Sequence, residues 1–151
     1  MKTVDPQLAE AIARIESSCC DSALRFEPAY SPSPAAFDAL DKICTWSSAT
    51  KHFALASSWG RYQIMGDNLY DTCGVTVDPV AFCASRTAQD AAFYEFLKAD
   101  SLESLTATQL ASSLALRVRF ARSYNGPGNV DGYALSIAQS LQALGFAITN
   151  S

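Results

Sequence analysis

Two glutamates in this chain stand where a carboxyl group could move a proton. Glu16 lies in "ARIES" (Ala13–Ser17), one residue past Ile15, at the C-terminal end of a predicted first helix. The negative end of the helix dipole and the apolar neighbours both disfavour its charged form. A carboxyl group kept neutral is what a general acid needs. The position also suits an ordinary solvated glutamate on the polar helix face. Glu27 lies in "RFEP" (Arg25–Pro28), just before a loop. It can pair with Arg25 or another arginine, or act as a second carboxylate near Glu16.

Two further stretches could supply binding groups. In "SSWGRYQIMG" (Ser57–Gly66), Trp59 offers a flat face for stacking a ring and Gly60 permits close approach of a chain or ligand. Gln63 brings an amide that both donates and accepts, and Ile64 and Met65 read as core. The same stretch also reads as a plain structural corner. "YNGPG" (Tyr124–Gly128) carries two strong turn signals, Asn-Gly and Pro-Gly. It fits a simple turn after a helix, yet Tyr124 and Asn125 at a helix end could reach into a cleft. Phosphate-binding glycine loops, a Ser-His-Asp order and H-E-x-x-H do not occur. With one histidine and no CxxC, neither a metal site nor a cofactor is expected.

Helix signals that could hold these residues recur from end to end. Asp5-Pro6, Ser33-Pro34 and Asp78-Pro79 each read as an N-cap followed by the first helical residue. Leu8, Ile12 and Ile15 form one apolar stripe, and Phe37, Leu40 and Cys44 another. Asp67 is expected to cap a short helix stopped by Gly74, and Thr87 with Asp90 resembles a capping box. That helix runs through Phe93, Phe96 and Leu97. Leu110, Leu114, Val118 and Ala121 predict one long helix ending before "YNGPG". Tyr133, Ile137, Leu141 and Leu144 predict the last, closed by Gly145. No alternating strand pattern stands out. The expectation is an all-α single domain over residues 1–151, with seven or eight helices.

The whole-chain properties narrow the partners. The net charge is −4 and the cations are scattered, apart from Arg117, Arg119 and Arg122, so no basic stripe for nucleic acid is present. The first residues lack the apolar core of a secretory signal, and no run is long enough to span a membrane. The odd count of five cysteines, with Cys19 and Cys20 adjacent, suits reduced, buried thiols. A Cys73–Cys83 bridge is the alternative outside a reducing compartment.

"ARIES", "RFEP", "SWGRYQIMG" and "FARSYNGP" (Phe120–Pro127), in this order, resemble the motifs of phage-type N-acetylmuramidases of the lysozyme superfamily. More distantly the chain is similar to lytic transglycosylases and goose-type lysozymes. The likeness spans roughly residues 5–144. Two departures flank the first glutamate: Ser18 and Cys19 stand where the family commonly has Gly and an aromatic, and Ala29 where it has His.

The resemblance implies a lysozyme-like domain around a glycan-binding cleft. Glu16 would be the catalytic acid, with Gln63, Tyr124 and Asn125 lining the cleft; Trp59, read from its flat face alone, is the candidate for stacking on a sugar. The expected reaction is hydrolysis of the β-1,4 bond from N-acetylmuramic acid to N-acetylglucosamine in peptidoglycan. Glu27 is the first choice for the second carboxylate and Asp67 the second; a purely structural Glu27 stays open. The alternatives are a lytic transglycosylase giving 1,6-anhydro products, and a non-catalytic glycan-binding or virion module. The expected setting is a monomer made in the cytoplasm that acts on the cell wall after release. Its role would be that of a phage endolysin, or of an injected effector with an immunity protein as partner.

Overall fold

The computed structural model describes residues 2–151. Nine α-helices form among them, with one short 3-10 turn and a sheet of three very short strands. The fold is thus mostly helical, and the local cap signals account for much of it. Helix α1 (Pro6–Ser17) begins where the Asp5 carboxylate accepts from the N–H groups of Gln7 and Leu8, at 3.1 and 2.8 Å. Ser33 and Asp78 cap α2 (Pro34–Asp41) and α5 (Pro79–Cys83) in the same way. Leu8, Ile12, Leu40, Phe93, Phe120, Ile137 and Leu141 meet in one core.

Three expectations are corrected, and one helix is added to them. The added helix is α3 (Ser48–Leu55): "SATKHFAL" buries only Ala54 and Leu55 and so shows no apolar period. Helix α4 (Gly66–Asp71) is not capped by Asp67, which lies in its first turn with its carboxylate bound elsewhere. Helix α6 (Arg86–Ala99) starts at Ser85, whose hydroxyl accepts from Ala88 N–H, and Asp90 instead accepts from Tyr62 and Arg86. The predicted long helix is two, α7 (Ala107–Ser112) and α8 (Leu114–Asn125), broken where Ser113 becomes extended. Arg117, 2% exposed, answers the break by donating to the carbonyls of Leu110 and Ala111. Helix α9 (Val130–Ala143) closes the domain against α1 and α8.

The sheet is the other departure from a purely helical reading. Strand β1 (Leu24–Phe26) pairs antiparallel with β2 (Ser57–Trp59), which pairs with β3 (Ile64–Met65). All three β2 residues are buried, so no polar-apolar alternation marks it. All five cysteines are free; Cys20 is exposed, and burial pushes the Cys73 thiol up to about 12. No helix is long and apolar enough to cross a membrane among the described residues.

Candidate active site

Glu16 occupies the last turn of α1, and the segment after it is tied down on several sides. Ser18 and Cys19 both take positive φ (53° and 65°), which ends the helix sharply. The Cys19 N–H returns to the Ala13 carbonyl at 3.0 Å, closing the helix end as a left-handed cap does. Ser17 donates its hydroxyl to the Arg61 carbonyl at 2.7 Å, which fixes Glu16 against the turn between β2 and β3. The Arg61 side chain, 8% exposed, donates to the Cys19 carbonyl at 3.0 Å and pairs with Glu10. Burial pushes the Glu10 carboxyl up, but Arg14, the Cys19 thiol and Arg61 outweigh it and hold the group below the ordinary value.

The Glu16 carboxyl is half-buried and accepts a hydrogen bond from the Tyr133 hydroxyl of α9 at Oε1. Desolvation pushes its pKa above the ordinary carboxylate value, against the opposing pulls of the Tyr133 hydroxyl and the Arg25 charge. Tyr133 is itself 7% exposed, and burial keeps its phenol protonated and therefore a donor. It stacks on Tyr124 with ring centroids 6.1 Å apart. Tyr124 in turn donates to the Tyr62 carbonyl at 2.6 Å and packs among Phe93, Phe96 and Phe120. A chain of contacts therefore runs from Glu16 through two tyrosines to the residue before Gln63.

The other expected site residues fall into different places. Gln63, at φ 48°, sits on the β2–β3 turn between the Tyr62 carbonyl held by Tyr124 and strand β3. Its amide accepts from the Ser58 hydroxyl and donates to the Gly60 carbonyl, both at 2.9 Å; the hydrogen bond to Glu16 comes from Tyr133 instead. Trp59 is 9% exposed, and its indole N–H donates to the Ala54 carbonyl at 2.7 Å, so it packs as core with little open face for stacking. Tyr124 spends its hydroxyl inside the protein, while Asn125 is exposed at the end of α8. Asp67 is buried, with its two oxygens taken by the Tyr30 hydroxyl at 3.0 Å and the Ser33 N–H at 2.7 Å. It anchors the loop between β1 and α2.

Glu27 remains accessible. Its Oε1 accepts from Arg25 Nε at 2.6 Å, with the two side chains 40% and 67% exposed. Arg25 is also the cation whose charge reaches Glu16, so one guanidinium couples the two glutamates. At that exposure the Arg25–Glu27 pair adds at most about 1 kcal/mol to stability.

The glycines of the opening motif are needed for sterics. A Cβ on Gly60, at φ 71°, would lie 2.4 Å from Gln89 Oε1. That amide oxygen accepts from the Arg61 N–H, and its nitrogen donates to the carbonyls of Asp21 and Cys83, each at 3.0 Å. Gly60 thus makes room for the amide that ties the Glu16 loop to α6, and not for a ligand. Tyr133 and Arg61 are the residues that the sequence concealed. Tyr133 shares a helical stripe with Ile137 and Leu141, which reads as core, and Arg61 fills an unremarkable position in its motif.

A mostly helical domain that holds a half-buried carboxyl group at the end of its first helix, beside a glutamine-bearing turn and a tyrosine pair, has a lysozyme-like layout. The comparisons make the class specific. The Muramidase (N-acetylmuramidase) family matches residues 5–145. An endolysin of Enterobacteria phage PRD1 is 34% identical over 146 residues, covering 91% of this chain and 96% of its own length. No solved structure matches significantly. The chain belongs to the muramidase family, whose members degrade peptidoglycan.

Proposed function

We propose that the protein hydrolyses the β-1,4 bond between N-acetylmuramic acid and N-acetylglucosamine, with Glu16 as the general acid. The observation that carries this reading is the half-buried Glu16 carboxyl, raised above its ordinary value and held by a tyrosine that stays protonated. Protonated Glu16 gives its proton to the leaving oxygen as the sugar develops oxocarbenium character. Tyr133 then stabilises the resulting carboxylate. Glu27, with its Oε2 free of hydrogen bonds from the described residues, activates water on the opposite ring face as an inverting base does. Gln63 and Asn125 border the substrate, and Tyr124 fixes the turn that carries Gln63. The 34% identical phage endolysin favours release into the cell envelope of a lysing host over injection as an effector.

Digested peptidoglycan analysed by mass spectrometry tests the reaction. Reducing muramic acid ends are expected. Anhydro-muropeptides as the main product would show that the sugar's own 6-hydroxyl attacks in place of water.

Glu27→Gln separates base from counter-ion. As the base, its loss lowers turnover at the optimum by about 10²-fold or more with folding intact. Were Glu27 only the partner of Arg25, the optimum rate would hold. The unpaired Arg25 charge would then pull the Glu16 pKa down and move the alkaline limb to lower pH.

Tyr133→Phe removes a hydrogen bond that favours ionised Glu16. The Glu16 pKa therefore rises further, and the alkaline limb of the rate profile moves to higher pH. Turnover on the acid side stays within about tenfold of wild type, since one hydrogen bond is worth about 1 kcal/mol. Rate measurements across pH 4–9 check the direction, and an unmoved limb would remove Tyr133 from the account.

A further inference from the structure

A pocket of ≈ 460 Å³ lies along the α8–α9 pair, and neither Glu16 nor Tyr133 lines it. Its α9 wall follows one helical stripe from Asp131 to Gln142, a run of about 16 Å at 1.5 Å per residue. Leu114, Val118, Ala134, Leu135, Ala138 and Ile148 make it apolar. Leu114 and Leu135 are 45% and 59% exposed, so the wall is open to solvent.

Arg117 lines the same pocket and is 2% exposed. Its guanidinium donates to the carbonyls of Leu110, Ala111 and Thr149, and to Asn150 Oδ1 at 2.5 Å. Its Nε–H finds no acceptor, and no carboxylate pairs with it among the described residues. Arginines this buried are almost always charge-paired, because an uncompensated ion loses its hydration. Its one side-chain acceptor is instead the neutral amide of Asn150, an exposed residue that lines the pocket. Asp131, the acid of the lining, lies in the first turn of α9, while Arg117 lies eight residues before the end of α8, about 12 Å along that helix.

We propose that this pocket binds a single-chain amphiphile with a carboxylate head, the head replacing the Asn150 amide on Arg117 and the alkyl chain lying along the α9 stripe. The head supplies the charge that Arg117 lacks, and the chain covers apolar side chains that otherwise face water. The lining includes none of Glu16, Glu27 and Tyr133.

Titration calorimetry of the full chain at pH 7 with octanoate, octanol and octyltrimethylammonium tests it. Octanoate is expected to bind at least tenfold more tightly than either analogue. Asn150→Ala removes the competing amide and tightens octanoate several-fold. Asn150→Asp supplies an internal carboxylate and weakens it at least tenfold. Both changes are on an exposed side chain, and circular dichroism confirms that the variants remain folded. Ala138→Trp fills the apolar end and abolishes binding. No octanoate binding at millimolar concentration overturns the proposal. So does equal binding of all three probes, or an affinity unchanged in Asn150→Asp.

Discussion

Glu16→Gln is expected to lose peptidoglycan-clearing activity by about 10²- to 10⁴-fold, the range a positioned general acid contributes. Glutamine keeps the shape and can still accept from Tyr133, but it has no proton to give. The same substitution should leave the fold intact and, at pH 7, melt at or above the wild-type temperature. The sign follows from the raised pKa. A carboxyl raised on folding contributes stability that is fully present below its unfolded value and is lost as pH rises through the folded value. At pH 7 the raised pKa of Glu16 therefore costs the folded state stability, and glutamine removes that cost. The advantage should vanish below about pH 4, where both states of the wild-type carboxyl are protonated. Thermal melts at pH 7 and pH 3.5 beside lysis assays check both halves. A variant that is inactive only because it is unfolded would not support the acid role.

Gly66→Ala should produce the largest loss of stability. A Cβ there would stand 2.2 Å from the Ala54 carbonyl oxygen and 2.9 Å from Leu55 Cα. Both are backbone atoms at the end of α3, so no side chain can swing aside. Either α3 or α4 must move, at a cost of about 3 kcal/mol or more. For a chain of this size that is a fall in Tm of about 6–12 °C. The move also drags β3 and the turn that carries Gln63, so the folded remainder should be less active as well. Calorimetric melting measures the first effect and activity per folded molecule the second. An unchanged Tm would mean that the α3–α4 contact is looser than the structure has it.

What the sequence reveals here depends on how far each signal reaches along the chain. The starts of α1, α2 and α5 are legible because Asp5-Pro6, Ser33-Pro34 and Asp78-Pro79 are complete caps within two residues. The place of Glu16 at a helix end is legible in the same way, but its candidacy comes from "ARIES" standing in order with the other three motifs. The break at Ser113 is not legible, because its carbonyls are satisfied by Arg117 and by the chain near Thr149, which also donates its N–H to the Ala111 carbonyl. Nor is the sheet, whose central strand Ser57–Trp59 is buried whole. Trp59 looks like a stacking platform until its N–H is found on Ala54. Tyr133 lies 117 residues from Glu16, and no local pattern could assign its hydroxyl. Glu16 stands out as a candidate only when its helix end is set beside the other three motifs, and the tyrosine hydroxyl that touches it had to be found in three dimensions.

The proposed acid role of Glu16 rests on burial raising its pKa above the ordinary carboxylate value. Carbon-13 labelling of the glutamates, with the Glu16 carboxyl assigned by loss of its signal in Glu16→Gln, gives its titration directly. The account predicts that Glu16 titrates above the ordinary carboxylate value of 4.5 and that the alkaline limb of turnover follows the same midpoint. Titration at or below 4.5, or a limb that ignores the Glu16 midpoint, would contradict it.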